Sequence, residues 1–469
     1  MTTENSTKTR AQWGSRLGFV LAAAGSAVGL GNLWKFPYIT YENGGGAFVL
    51  VYLAAILLVG APIMVGEILL GRKTQLGPVG SFRKLGHGRP GGKAWTGVGV
   101  LGVVAGFMIL SYYSVIAGWT LRYIWMALSG QLASLAVDPV ALQTFFGTFL
   151  SNPWQQMFFH LLFMGATVGV VYLGVGHGIE RAAKILMPVL FLILLALVVY
   201  VAWTPGFRQA LIFLFRPNFS ELTRGGILEA LGHSFFTLSL GMGAMLTYGS
   251  YMGKKTSIPR AAITVCLLDT VIAIMACIIM FSIIFSFDFE VSKSSTILFT
   301  TLPVLFFKLP GGTIISSLFY ILVAFAALTS TISLLEVVAS YAIDEFGWPR
   351  RRATLVMGGS IGLFGILNAL SFGGVDALSK INLIGRPSTQ GVFGTMDYLA
   401  SNWVLPVGGF LIALFVGWVL SRDETHEELQ LGHGRMVLFP MWRFLIRFAA
   451  PLAVGAIIVS IVFFGAEYQ

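Results

Sequence analysis

The sequence predicts an all-α integral membrane protein: eleven transmembrane helices in a five-plus-five inverted repeat, with helices 1 and 6 broken. Three observations lead there. The chain is 56% hydrophobic and 11% charged, with a mean hydropathy of +0.82, outside the range of soluble domains. Apolar runs of roughly 20 residues or more, enough to cross about 30 Å of hydrocarbon, recur along its whole length. Two runs carry Gly-rich interruptions at corresponding places in the two halves, the mark of paired broken helices around a midplane site.

Taken in order, the spans fall near 13–41, 46–71, 96–128, 156–174, 183–203, 227–253, 259–286, 312–343, 353–371, 399–420 and 440–465. Residues 1–9 read as a polar cytoplasmic tail, and 10–469 as a single membrane domain. Spans 1–5 cover about 13–203, spans 6–10 about 227–420 and span 11 about 440–465. No cleavable signal peptide is expected, because the first dozen residues are polar and the first apolar run is too long for an h-region.

The net charge of +10 is distributed unevenly. Lys8, Arg10 and Arg16 precede or open the first span, and Arg72, Lys73, Arg83, Lys84, Arg89 and Lys93 fill the second connection. Arg181 and Lys184 lie in the fourth, Lys254, Lys255 and Arg260 in the sixth, and Arg350, Arg351 and Arg352 in the eighth. The third connection, 130–153, has no Lys or Arg. Basic residues in alternate loops predict a cytoplasmic N-terminus and a C-terminus outside. Arg208, Arg216 and Arg224 in the fifth connection weaken the pattern without reversing it. A lipid bilayer is thus the expected partner, and nucleic acid is not.

The first interruption reads GSAVGLGNLWKFPY (25–38), the second GHSFFTLSLGMGAMLTYGS (232–250). Backbone released from a helix at bilayer depth persists only where it lines a cavity or grips something polar. Glycines in membrane helices also serve close packing, but two matched breaks point to a site. Pro303 and Pro310, in 288–312, suggest an outer loop folded back as a lid, and 421–435 a cytoplasmic connector. Cys266 and Cys277 share one span and cannot pair. There is no GxxxxGK[ST], GxSxG or metal-spaced His/Cys cluster, hence no ATP motor or hydrolase nucleophile, and no enzyme is expected. Active transport would run on an ion gradient.

GSAVGLGNLWKFPY, ENGGGAF (42–48), the SYY of span 3, FFTLSLG (235–241) and ALTSTIS (327–333) together resemble the neurotransmitter:sodium symporter family, in its bacterial amino-acid transporter branch of eleven-span type. The resemblance runs from about Trp13 to the last span. It implies a multi-pass protein of the bacterial inner (cell) membrane that couples sodium to a small solute by alternating access, with sodium the only metal and no organic cofactor.

By the same resemblance, one sodium site takes Ala27, Asn32, Thr237 and Asp269. A second takes Gly25, Val28, Ala326, Thr329 and Ser330. A carboxylate in the middle of CLLDTVIAIMA costs at least about 2.5 kcal/mol to insert, so Asp269 should face a cavity or a cation. The family commonly has Asn there, and its chloride-dependent members place chloride nearby. A fixed negative charge replaces that ion, so chloride independence is expected. Ala273, one turn on, also lacks the hydroxyl of those members. Tyr52 keeps its family place, whereas His233 stands where Gln is usual, and a His near a buried Asp can take up a proton.

Monoamine carriers of the family have an Asp where this chain has Gly29. An amino acid is therefore expected, its carboxylate meeting the amides of Leu30 and Gly31 and the hydroxyl of Tyr113, close to Ala27 and Ser330. Its ammonium would meet carbonyls of 236–239, including Thr237, and Ser239. Ile109, Phe236, Met242 and Leu334 would enclose a hydrophobic or aromatic side chain. Lys35 and Asp397 are the expected outer gate above Phe236 and Tyr113. Arg10 and Asp344 are the inner one, with Trp13 as a plug. Glu67 and Glu336 are read as ties to exposed backbone. A related carrier of amines or osmolytes, and an ion channel, are the competing readings.

Overall fold

The computed structural model describes residues 10–287, 297–432 and 437–465, and every regular element among them is helical. Helix α1 (Arg16–Ala27) is followed at a 55° bend by α2 (Gly31–Glu42). Then come α3 (Gly46–Thr74), α4 (Gly92–Leu128), α5 (Pro153–Tyr172) and α6 (Val175–Val201). A divided segment follows, α7 (Arg224–Thr237) and α8 (Ala244–Ser250). The chain continues through α9 (Ile258–Ser286), α10 (Gly312–Phe346), α11 (Arg350–Leu370), α12 (Gly391–Val419) and α13 (Phe439–Phe463).

Nine of these helices are long and apolar enough to cross a membrane, or ten spans with α1 and α2 as one. Sequence reading expected eleven. The difference lies at 227–253, where residues 238–243 leave the helical ladder, so α7 and α8 are each too short to cross alone. Also, α12 begins at Gly391, well before the apolar run near 399, which places Asp397 inside a helix.

Local chemistry explains the ends. Ser15 caps α1 by accepting from the Gly18 amide at 2.9 Å, and Val28 then turns extended (φ −71°, ψ 109°). The longest helices, α4 and α10, pack against each other and carry α5 and α11 on their flanks. Lipid supplies no hydrophobic drive between helices, so short polar ties matter. Thr167 meets Thr331 at 2.8 Å, Asn368 donates to Ser111 at 3.1 Å, and Trp119 donates to Gln156 at 2.8 Å.

Short helices at Ile297–Thr300 and Leu302–Lys308 fold back onto this bundle with Ile297, Leu298 and Phe299 buried. Tyr123 and Tyr320 donate to the carbonyls of Phe299 and Leu298 at 2.7 and 2.6 Å. The segment thus folds back as expected, and its stretch 288–296 lies outside the described residues. The connector contains a helix, Arg422–Gln430, opened by a reciprocal Ser421–Glu424 cap. It docks through Arg72–Glu428 at 2.6 Å and Arg89–Glu424 at 2.5 Å. Its residues 433–435, and the tail 1–9, lie outside the described residues. Cys266 and Cys277 are buried and unpaired in α9.

Candidate functional site

The two breaks face each other at the centre of the bundle. Between α7 and α8, Ser239 has φ +53°, with Gly241 at +80° and Gly243 at +75°. A non-glycine residue in that region is strained, which fits a segment held by its surroundings. Glu67 supplies one hold, accepting from the freed Gly241 amide at 2.8 Å, the tie read from sequence. Glu336 does otherwise. It accepts from Arg350 at 2.7 and 2.8 Å and from the Tyr251 hydroxyl at 2.5 Å, because these side chains, and no freed amide, reach it.

Asp269 is wholly buried at the meeting point of four elements. Asn32 Nδ2 donates to it at 2.8 Å, Thr237 at 3.0 and 3.2 Å, and Tyr52 at 3.2 Å. The Oδ1 of Asn32 accepts from the Gly29 amide at 3.0 Å. A carboxylate and two hydroxyls thus meet here, hard oxygens of the kind a hard cation takes, while Asn32 turns its amide nitrogen to Asp269 and its oxygen to Gly29. His233 stacks on Phe36 with ring centres 5.5 Å apart and does not hydrogen-bond Asp269, which Tyr52 reaches instead.

A second group of oxygens lies where α1 ends against α10. Ser330 Oγ is 3.3 Å from the Val28 carbonyl and 3.2 Å from that of Ala326, and Thr329 donates to Ala326 at 3.0 Å. Gly25 brings the helices together, since a Cβ there would stand 3.0 Å from Thr329.

Between the two groups is a small cavity lined by residues of both breaks and of α4 and α10. Its wall includes Ala27, Gly29, Gly31, Ile109, Tyr113, Phe236, Thr237, Ser239, Met242, Ser330 and Leu334. Leu30 is absent from the wall, although its amide donates to the Tyr113 hydroxyl at 2.9 Å. A Cβ on Gly29 would meet that hydroxyl at 2.8 Å and Ser330 Oγ at 2.9 Å. Ser239 donates to the Ser26 carbonyl at 2.7 Å. Sequence reading missed Ser26 and Ser333, which bond each other at 2.7 Å on the wall. The only signal was a serine inside a glycine-rich break.

The two ends of the cavity differ. At one, Arg10 grips Asp344 at 2.6 and 2.8 Å and Ser250 at 2.9 Å, while Asp344 also accepts from the Gly77 amide at 2.6 Å. Trp13 lies beneath, donating to the Tyr248 carbonyl at 2.9 Å. At the other, Lys35 Nζ sits 5.2 Å over the Phe236 ring and forms no ion pair with Asp397, which accepts from Ser401 at 3.3 Å. Opposite charges were legible there; their separation was not.

The sequence profile of the Sodium:neurotransmitter symporter family matches residues 10–138 and 153–469. The chain belongs to this family. An uncharacterised sodium-dependent transporter of Bacillus subtilis, YhdH, is 38% identical over 452 residues, covering 96% of this chain and 97% of the relative. One from Haemophilus influenzae is 32% identical, covering 99% of this chain and all of the relative. Among solved structures, MhsT in complex with L-phenylalanine is 44% identical with a TM-score of 0.86, over 96% of this chain and all of that one. This symporter is therefore a multi-span membrane transporter with sodium as coupling ion and a small-molecule substrate, and not an enzyme.

Proposed function

We propose that this symporter carries neutral hydrophobic or aromatic L-amino acids with sodium, by alternating access and without chloride. The observation that carries the substrate class is the bare backbone at Gly29. It places no acidic side chain at the cavity, and the Tyr113 and Ser330 hydroxyls and the Leu30 amide close in on it. Amide and hydroxyl donors at the start of a helix suit a carboxylate. The rest of the wall is uncharged, with Ile109, Phe236, Met242 and Leu334 offering apolar surface and Met242 a deformable one. The L-phenylalanine bound by MhsT supports the same class.

Asn32, Thr237, Asp269 and the Ala27 carbonyl would hold one sodium, and Gly25, Val28, Ala326, Thr329 and Ser330 the other. Asp269 supplies the fixed charge that makes chloride dispensable. Counting α7 with α8 as one broken span gives eleven spans, five plus five and one more, with the N-terminus cytoplasmic. Arg10–Asp344 then closes the inner side over Trp13, while Lys35 and Asp397 stand apart at the outer side. A sodium-dependent binding screen over the twenty amino acids, with tyramine and betaine as competitors, tests this. Phenylalanine, tryptophan or leucine should bind best. Preferred binding of an amine would overturn the substrate class.

A further inference from the structure

A group of arginines at the Arg10 end of the bundle has no part in the cycle described above. We infer that the facing ends of α12 and α13 form a binding site for the phosphate of an anionic phospholipid. Arg443 and Arg447 are four residues apart on α13 and share one face of it. Arg443 donates to the carbonyls of Val416 and Leu420 at 2.7 and 2.8 Å, closing the last turn of α12. The Arg447 guanidinium lies 4.2 Å from the centre of the Trp418 ring, and its buried Nε has no hydrogen-bond partner. Trp418 in turn donates to the Arg447 carbonyl at 2.9 Å, which fixes the arginine backbone against α12.

Arg422, at the start of the helix that joins α12 to α13, adds a third charge of the same sign. Among the described residues none of the three forms an ion pair. Of the acids on the helix joining α12 to α13, Glu424 and Glu428 are committed to Arg89 and Arg72, and Asp423 and Glu427 are exposed and pair with none of the three arginines. An anion is missing, and the position says where it comes from. At 1.5 Å per residue Arg443 and Arg447 lie about 6 and 12 Å into α13, the depth of headgroups and the first acyl carbons. Trp418 is 52% exposed and Phe444 59%, so acyl chains have an aromatic surface beside the guanidinium groups. Arginine forks suit phosphate oxygens, and basic clusters at a membrane surface attract anionic lipid. Free phosphate shares the charge chemistry but has no use for that aromatic surface.

The test is thermal unfolding of the purified full chain titrated with phosphatidylglycerol, phosphatidylcholine or inorganic phosphate. Phosphatidylglycerol should raise the melting temperature, and the other two should not. Arg447→Gln should raise the half-saturating phosphatidylglycerol concentration about fivefold, and Arg181→Gln, an exposed control at the same end, should leave it unchanged. Arg443→Gln also removes the α12 cap; should it fail to fold, Arg447→Gln decides alone. Unchanged half-saturation in Arg447→Gln, an equal change in Arg181→Gln, or equal protection by inorganic phosphate would overturn the assignment.

Discussion

Gly29 and Asp269 carry the most information per residue, and both act through what surrounds them. A Cβ at 29 would press within 2.8 and 2.9 Å of Tyr113 and Ser330. Overpacking of this kind costs about 1–3 kcal/mol, so Gly29→Ala should weaken amino-acid binding roughly tenfold, measured by equilibrium binding in sodium. Asp269 accepts from Asn32, Thr237 and Tyr52 together. Asp269→Ala leaves those buried donors unmatched, at about 1–3 kcal/mol each, and should abolish sodium-dependent uptake. Asp269→Asn keeps a side-chain acceptor but removes the charge, so its uptake should become stimulated by external chloride, read by replacing chloride with gluconate. Both positions were legible in the sequence because each is odd in its place: a missing side chain in a break, and a carboxylate in an apolar run. Ser26 and Ser333 were not, because a small hydroxyl in a membrane helix usually only packs.

At the scale of elements, the breaks were legible but their extent was not. Glycine spacing marked 25–38 as interrupted, yet the helix is lost only around Val28 and Gly29 before resuming as a wide π-helical turn at Gly31–Lys35. Gly241 and Gly243 marked the break within 232–250, and the structure places it at 238–243; what no propensity announces is the strain at Ser239. Glu67 stabilises that turn through the Gly241 amide. Glu67→Ala leaves a buried donor unpaired at a cost of about 1–3 kcal/mol, and should therefore lower both the melting temperature and the substrate affinity. Glu67→Gln, which retains an acceptor oxygen, should recover most of both.

Across the whole molecule, one end of the cavity is closed by charge and the other is not. Asp344 holds both Arg10 and the Gly77 amide, so Asp344→Ala frees two groups at once. In the purified, detergent-solubilised protein, a Ser250→Cys thiol, beside Arg10, should then react severalfold faster with a water-soluble thiol reagent. Background labelling is small, since Cys266 and Cys277 are buried. The pairing of Arg10 with Asp344 was legible through the family resemblance; the openness of Lys35 from Asp397 depends on which state the bundle occupies, which sequence does not encode. The central claim is tested most directly by uptake of labelled L-phenylalanine into proteoliposomes under a sodium gradient. Uptake should saturate, vanish when potassium replaces sodium, and persist when gluconate replaces chloride. Equal uptake in potassium would contradict it.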